Sequence, residues 1–221
     1  MCTNFALVKQ DGSVRLAERL GVDAAALIYS HDFRPGATIS IVRETNGSRL
    51  VNPAIWWLYL RQTPDGLKPH REYFSVNTNH AKLSGKTEYR RSRCLIPVSA
   101  FVESQEGKNP HLLKPRDGSV MAFGGLCKEW TDKCTGECVL SASIITLPGH
   151  PALENIHRKS TPLWLPEEMY DVWLSPQQQE TQIFEELLTP ALRTTLLVTP
   201  IDRAGSKQPV GETYVVAAAN H

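Results

Sequence analysis

Apolar residues recur at helical spacing over residues 13–20, where Ser13 offers an N-cap and Gly21 a stop, and a second short helix is expected over 24–29 after Asp23. Two extended runs, 38–42 and 50–60, flank Asn46-Gly47, the pair best suited to a two-residue hairpin turn. Further strands are predicted over 94–103, 119–124, 139–147 and 194–199. Met169, Val172 and Trp173 mark a helix over 166–174, and Ile183, Phe184, Leu187 and Leu188 mark another over 180–188. Strands linked mainly by hairpins, with helices at the start and late in the chain, define an α+β fold on a mostly antiparallel sheet. No composition shift resembles a linker, so residues 1–221 read as a single domain.

Composition narrows the function classes. The chain has 221 residues, 41% of them hydrophobic, and 24 Lys and Arg against 23 Asp and Glu, a net charge of +1. That length supports a core without disulfide or metal staples. No apolar run reaches a membrane span of roughly 20 residues, and the first residues lack the pattern of a signal peptide; a cytoplasmic monomer with no membrane contact is expected. A neutral surface excludes broad electrostatic coating by nucleic acid, so any such contact must be local.

Local chemistry begins at Cys2. Removal of Met1 would leave an amine and a thiol on adjacent carbons, with ordinary pKa values of about 8 and about 8.5. The amine can condense with an aldehyde to an imine, and the thiol can close on the same carbon as a thiazolidine; against an amide the pair can act as an N-terminal nucleophile. Glu103, at the end of an apolar strand, is a candidate proton carrier, because apolar surroundings raise a carboxyl pKa. His157, beside Arg158 and Lys159, is a candidate acid or base, and Asn77 a candidate amide clamp. Lys86, Arg90, Arg91 and Arg93 crowd four cations against the single carboxylate of Glu88 just before a strand. Each feature alone also has an ordinary structural reading as a frayed end, a solvated charge run, a strand-end acid, a structural histidine or a turn asparagine.

Their order resembles the SOS response associated peptidase (SRAP) family of abasic-site processing proteins. Met1-Cys2-Thr3-Asn4-Phe5 keeps the Cys and Phe of the family's Met-Cys-Gly-Arg-Phe. Pro35-Gly36 matches the end of its Asn-Val-Ala-Pro-Gly, and Asn77-Thr78-Asn79 its Asn-Ala-Arg. Arg91-Ser92-Arg93-Cys94-Leu95-Ile96-Pro97 followed by Ala100-Phe101-Val102-Glu103-Ser104 resembles Arg-Arg-Cys-Leu-Ile-Pro and Gly-Phe-Tyr-Glu-Trp; the run from Ile156 to Pro162 resembles Ile-His-x-Arg-Met-Pro with one added residue. The resemblance implies a barrel-like sheet with peripheral helices. It also implies a thiazolidine crosslink between Cys2 and the aldehyde of an abasic site in single-stranded DNA, with lyase-type scission, reversal and a proposed peptidase role. On that pattern Asn77 orients the amine and sugar, Glu103 shuttles protons and His157 assists ring opening. Asn79, Lys86, Arg90, Arg91, Arg93, Thr146, Arg158 and Lys159 would contact the DNA backbone; no metal or cofactor is implied. Asn4 and Asn79 stand where the family has Arg, and Ser104 where it has Trp, which predicts weaker attraction of phosphates and bases.

Two other readings use the same residues. One is an N-terminal cysteine amidohydrolase, since Met1-Cys2-Thr3 also resembles the start of the choloylglycine hydrolases. The other is a non-catalytic DNA-binding adaptor stabilised by zinc on Cys127, Cys134, Cys138 and His150, although their spacing lacks paired Cys-x-x-Cys knuckles.

Overall fold

The computed structural model describes residues 2–220. The chain enters through β1 (Phe5–Leu7), passes α1 (Asp11–Leu20) and then runs through β2 (Ser30–Phe33), β3 (Thr38–Thr45), β4 (Ser48–Trp56), β5 (Leu60–Thr63), β6 (Gly66–Pro69) and β7 (Asn77–Asn79). After α2 (Thr87–Arg91) come β8 (Arg93–Val98), β9 (Ala100–Gln105), β10 (Lys108–Pro115), β11 (Met121–Thr131) and β12 (Cys138–Leu147). Then follow α3 (Glu154–His157), β13 (Thr161–Pro162), α4 (Tyr170–Leu174), β14 (Ala191–Leu192), β15 (Leu196–Pro200), β16 (Tyr214–Val216) and β17 (Ala219–Asn220).

Two sheets share one core. β11, β8, β3, β4 and β12 pair in that order, and β11 pairs again with β12, closing a five-stranded barrel in which only β4 and β12 run parallel. Closure leaves no bare edge on those strands. β7 adds to β12 in parallel and β13 pairs with it antiparallel, so the end of β12 is gripped on both sides. The second sheet runs β16-β15-β10-β9-β1-β2, antiparallel throughout. Phe5, Phe101, Phe123 and Trp56 are fully or nearly fully buried, with Phe5 edge-on to Trp56 at 4.8 Å and Phe101 edge-on to Phe123 at 5.5 Å, and the buried Trp173 of α4 packs edge-on against Phe184 at 5.0 Å.

The Asn46-Gly47 turn forms as expected, with φ of +53° and +75°, the left-handed pair that joins β3 to β4. Gly21 ends α1 at φ +68°. Elsewhere local pattern and fold part company. α1 starts two residues before Ser13, and Ser13 caps from inside, its Oγ accepting from the Gln10 amide at 3.1 Å. The helix predicted over 24–29 shrinks to one 3-10 turn, Ala24–Ala26, because the Ile28 amide is drawn to Ser40 Oγ at 2.7 Å and the chain leaves extended. The 180–188 segment is 3-10 over Thr181–Leu188 rather than α, and β10 has no counterpart among the predicted elements.

The most consequential difference lies in 94–103, which is two strands and not one. At Ser99 the chain crosses from the barrel to the second sheet. Ser99 Oγ accepts from the Val8 amide at 3.1 Å and donates to the Ala6 carbonyl at 3.0 Å, and the Ser99 amide donates to the same carbonyl at 2.8 Å. The corner lays β9 against β1. Phe5 faces Phe101 in register, and the Val102 amide donates to the Asn4 carbonyl at 2.9 Å. Carried toward the N-terminus, that register runs Cys2 and Thr3 beside Glu103 and Ser104.

Candidate active site

Cys2 is fully buried. Its thiol lies 3.8 Å from the Asn4 carbonyl, and its own carbonyl accepts from Asn77 Nδ2 at 2.8 Å. β7 holds Asn77 beside Ile144 of β12, so the amide that grips the N-terminal segment is mounted on the barrel wall. Asn77 Oδ1 is buried with no hydrogen-bond partner among the described residues, an acceptor left over at the cleft. Burial pushes the Cys2 thiol far up, and the nearby Glu103 charge pushes it further, so the resting thiol is protonated at neutral pH.

Glu103 is also buried, and desolvation pushes its carboxyl up to about 7. An acid of that pKa exchanges a proton readily near neutrality. Its Oε2 lies 3.9 Å from His157 Nδ1. The same Nδ1 is 2.7 Å from the Ser104 carbonyl, which can only accept, so Nδ1 carries a proton; Nε2 lies 3.2 Å from Ser160 Oγ. Burial holds His157 below the usual imidazole range, leaving it neutral at pH 7. α3 delivers His157 through a close crossing in which Gly149 lies against the Arg158 carbonyl; a Cβ at position 149 would overlap it.

A cleft of about 500 Å³ reaches Asn77 and His157, lined by these and by Thr3, Asn79, Thr146 and Lys159 together with Ser104, Glu106, Gly107 and Ser160, with Cys2 and Glu103 buried behind it. Thr146 is buried between Asn79 and Pro162. Asn79 caps the following 3-10 turn, its Oδ1 accepting from the Ala81 amide at 2.9 Å. Lys159 Nζ pairs with Glu106 at 3.0 Å in the open, and Arg158 is exposed beside it. Neither the hydrogen bond of Ser160 to His157 nor the close approach at Gly149 was read from the sequence. The i, i+3 spacing of His157 and Ser160 was the available signal for the first.

The basic run does not join them. Arg93, expected on a phosphate, is buried, and its guanidinium donates to five carbonyls: Trp173 at 2.8 Å, Tyr89 at 2.7 Å, Arg90 at 3.0 Å, Ser175 at 2.8 Å and Gln178 at 2.7 Å. It also lies 4.8 Å from the Phe184 ring. It ties α2, α4 and the segment after α4 to the barrel, and all three of its nitrogens are engaged by carbonyls instead of a phosphate. Arg91 and Arg93 line a different cleft, about 720 Å³, with Arg43, Glu88 and Glu129. Lys86 donates to the Tyr59 hydroxyl at 2.5 Å and Arg90 to the Ser84 carbonyl at 3.2 Å.

The zinc arrangement does not form either. Among the described residues no three His, Cys, Asp or Glu side chains converge to hold a metal. Cys127 is buried with its thiol on the Ser92 carbonyl, and His150 caps a 3-10 turn.

A closed mixed barrel with a second sheet laid across it, and a cysteine-bearing N-terminal segment threaded between a carboxyl, an amide and an imidazole, defines the class of protein. The family model described as SOS response associated peptidase (SRAP) matches residues 1–207, and the chain belongs to that family. Similar solved structures include a protein from Bacteroides thetaiotaomicron, 18% identical over 97% of this chain and 92% of that one, with a TM-score of 0.67. A Bordetella bronchiseptica protein is 17% identical over the whole of both chains at a TM-score of 0.65; a phage-related protein from the same organism is 14% identical over 94% of this chain and all of that one at 0.63. These share the fold. No curated protein sequence matches the chain. Among the described residues no helix is long and apolar enough to cross a membrane.

Proposed function

We propose that this SRAP protein captures abasic sites in single-stranded DNA as a covalent thiazolidine on Cys2. The observation that carries the reading is the convergence of four parts of the chain, Asn77 on the Cys2 carbonyl and Glu103 beside His157, behind a cleft lined by Asn77 and His157.

With Met1 removed, the Cys2 amine attacks the aldehyde carbon of the ring-opened sugar, and loss of water leaves an imine. The thiol then adds across the C=N bond: sulfur bonds to carbon, and the S–H proton ends on nitrogen. A thiol held protonated by burial needs a proton relay for that step, and Glu103, titrating near 7, supplies one. The same carboxyl returns the proton in reversal. His157, neutral with Nε2 toward Ser160, is suited to accept a proton from the sugar during ring opening. Asn77 fixes the Cys2 carbonyl and so the direction of the amine. Lyase-type scission would follow from the imine by β-elimination: a proton is taken from the adjacent sugar carbon, its electron pair forms the C=C bond, and the phosphate on the next carbon leaves with the C–O electrons.

The test is a denaturing gel after incubation with single-stranded oligonucleotides carrying one abasic site. Wild type gives a heat-stable shifted band, absent with intact DNA and absent for Cys2→Ala. Cys2→Ser gives an imine trapped by borohydride and no stable adduct. A wild type that yields no band but hydrolyses glutamine or an acylated amine would establish the amidohydrolase reading instead.

A further inference from the structure

The loop that follows His157 is clamped from both sides. On one side Gln105, at the end of β9, donates through Nε2 to the Glu154 carbonyl at 2.8 Å, and the Ser104 carbonyl takes the His157 Nδ1 proton at 2.7 Å. On the other, Thr161 and Pro162 of β13 pair with Leu147 and Thr146 of β12, and the His150 amide donates to Thr161 Oγ1 at 3.0 Å. Ser160 lies between the two clamps. It belongs to the run from Ile156 to Pro162, one residue longer than the family's motif, and the capture chemistry above leaves it without a task.

Its place beside the ring decides the route of a proton. With the Nδ1 proton held by the Ser104 carbonyl, Nε2 carries the lone pair in the ring plane, and Ser160 Oγ, 3.2 Å away, donates to it. His157 is only 7% exposed, whereas Ser160 is half-buried and lines the cleft. A sugar entering the cleft therefore meets the serine hydroxyl ahead of the imidazole. A hydroxyl that donates its one proton still has two lone pairs with which to accept another. A hydroxyl on a neutral imidazole, with an acceptor fixing the far nitrogen, is the arrangement in which a base draws a proton through an intervening oxygen.

We propose that Ser160 is a proton relay between the sugar and His157 in the ring-opening step. The inference rests on the reading of the Cys2 cleft given above. The closed abasic sugar is a hemiacetal. Its anomeric hydroxyl gives its proton to Ser160 Oγ while the serine proton passes to His157 Nε2. The electron pair left on the anomeric oxygen forms the C=O bond, the bond from that carbon to the ring oxygen breaks, and the ring oxygen keeps the pair and takes a proton from solvent. The imidazolium then returns its proton to solvent, so the step consumes no proton overall and leaves the aldehyde that Cys2 attacks.

Two probes separate ring opening from capture on the full chain: a single-stranded oligonucleotide with an ordinary abasic site, and one whose linker carries an aldehyde but lacks the hydroxyl needed to close the ring. Ser160→Ala should slow crosslinking of the first about tenfold or more and leave the second at the wild-type rate. Ser160→Thr, which keeps the hydroxyl, should preserve both. In heavy water the wild-type rate on the first probe should fall by a larger factor than the Ser160→Ala rate, because a relayed step moves the serine proton as well as the sugar proton. Slowing of neither probe, slowing of both alike, loss of the Ser160→Thr rescue, or equal heavy-water factors in wild type and Ser160→Ala would overturn the relay and leave capture by Cys2 standing. A wild type that captures neither probe would overturn the capture, and the relay with it.

Discussion

The surroundings of Cys2 and the surroundings of Arg93 are both buried, polar and fed by the same stretch of sequence, yet they are built in opposite ways. Around Arg93 every donor nitrogen ends on a carbonyl, from three segments at once. Around Cys2 the thiol has one long contact, Asn77 keeps an unused oxygen, and a carboxyl and an imidazole sit 3.9 Å apart, their pKa values shifted toward neutral forms by burial. A permanently charged guanidinium saturated by carbonyls holds segments together, whereas buried groups that are neutral near pH 7 and lie close to one another are ready to exchange protons. The ability to change protonation state near neutrality, more than burial, separates the candidate site from the structural knot.

The sharpest way to break that contrast is to empty each centre. Arg93→Met leaves five buried carbonyls without their donor and should cost about 3–5 kcal/mol in denaturant unfolding. The crosslinking of whatever remains folded should be unchanged. A small loss of stability, or a specific loss of crosslinking at full stability, would return Arg93 to the DNA-binding set.

Glu103→Gln should act with the opposite sign on stability. The folded carboxyl titrates near 7 and the unfolded one near 4.5. Between those values the native state binds the extra proton, so wild-type stability falls as pH rises through the window and stays lowered above it. Glutamine removes the titration, and its advantage over wild type should grow by about 3 kcal/mol between pH 4.5 and pH 8. The same variant should slow crosslinking and remove the inflection near pH 7 from its rate profile. An advantage that does not change with pH would show the carboxyl to be unperturbed.

Asn77→Leu keeps the volume and removes the clamp. Crosslinking should slow about tenfold or more, with little change in melting temperature, because Asn77 is only half-buried. Equal rates would mean that β1 alone orients the N-terminal segment.

Much of this site was legible as a set of residues but not as a geometry. The hairpin at Asn46-Gly47 and the end of α1 at Gly21 are local choices, made by residues that tolerate positive φ, and sequence carries them directly. The break at Ser99 is not local. Apolar residues lie on both sides of it, and only hydrogen bonds to Ala6 and Val8, more than 90 residues away, turn the strand from one sheet to the other. Arg93 was misread for a related reason: a cation in a basic run looks solvated until the segment after α4 folds over it. The family motifs bring Cys2, Asn77, Glu103 and His157 together in the sequence, while the protonation states of Cys2, Glu103 and His157 follow only from their burial and hydrogen bonds in the fold.

The smallest expected effect concerns Lys159, an exposed cation that lines the cleft. Lys159 and Glu106 form an exposed pair, and the lysine, through its hydrogen bond and charge, holds Glu106 below the usual carboxylate range. Such pairs add little to stability, so neither Lys159→Gln nor Glu106→Gln should shift the melting temperature measurably. A phosphate entering the cleft must compete with Glu106 for Lys159. Lys159→Gln should therefore reduce the salt slope of single-strand binding by about 0.7, and Glu106→Gln should tighten binding modestly by freeing the ammonium. Arg91→Gln, in the other cleft, should leave both slope and affinity where they are. Anisotropy titrations at two or three salt concentrations distinguish these outcomes, and a response to Arg91 equal to that of Lys159 would show the strand to run over the far cleft as well.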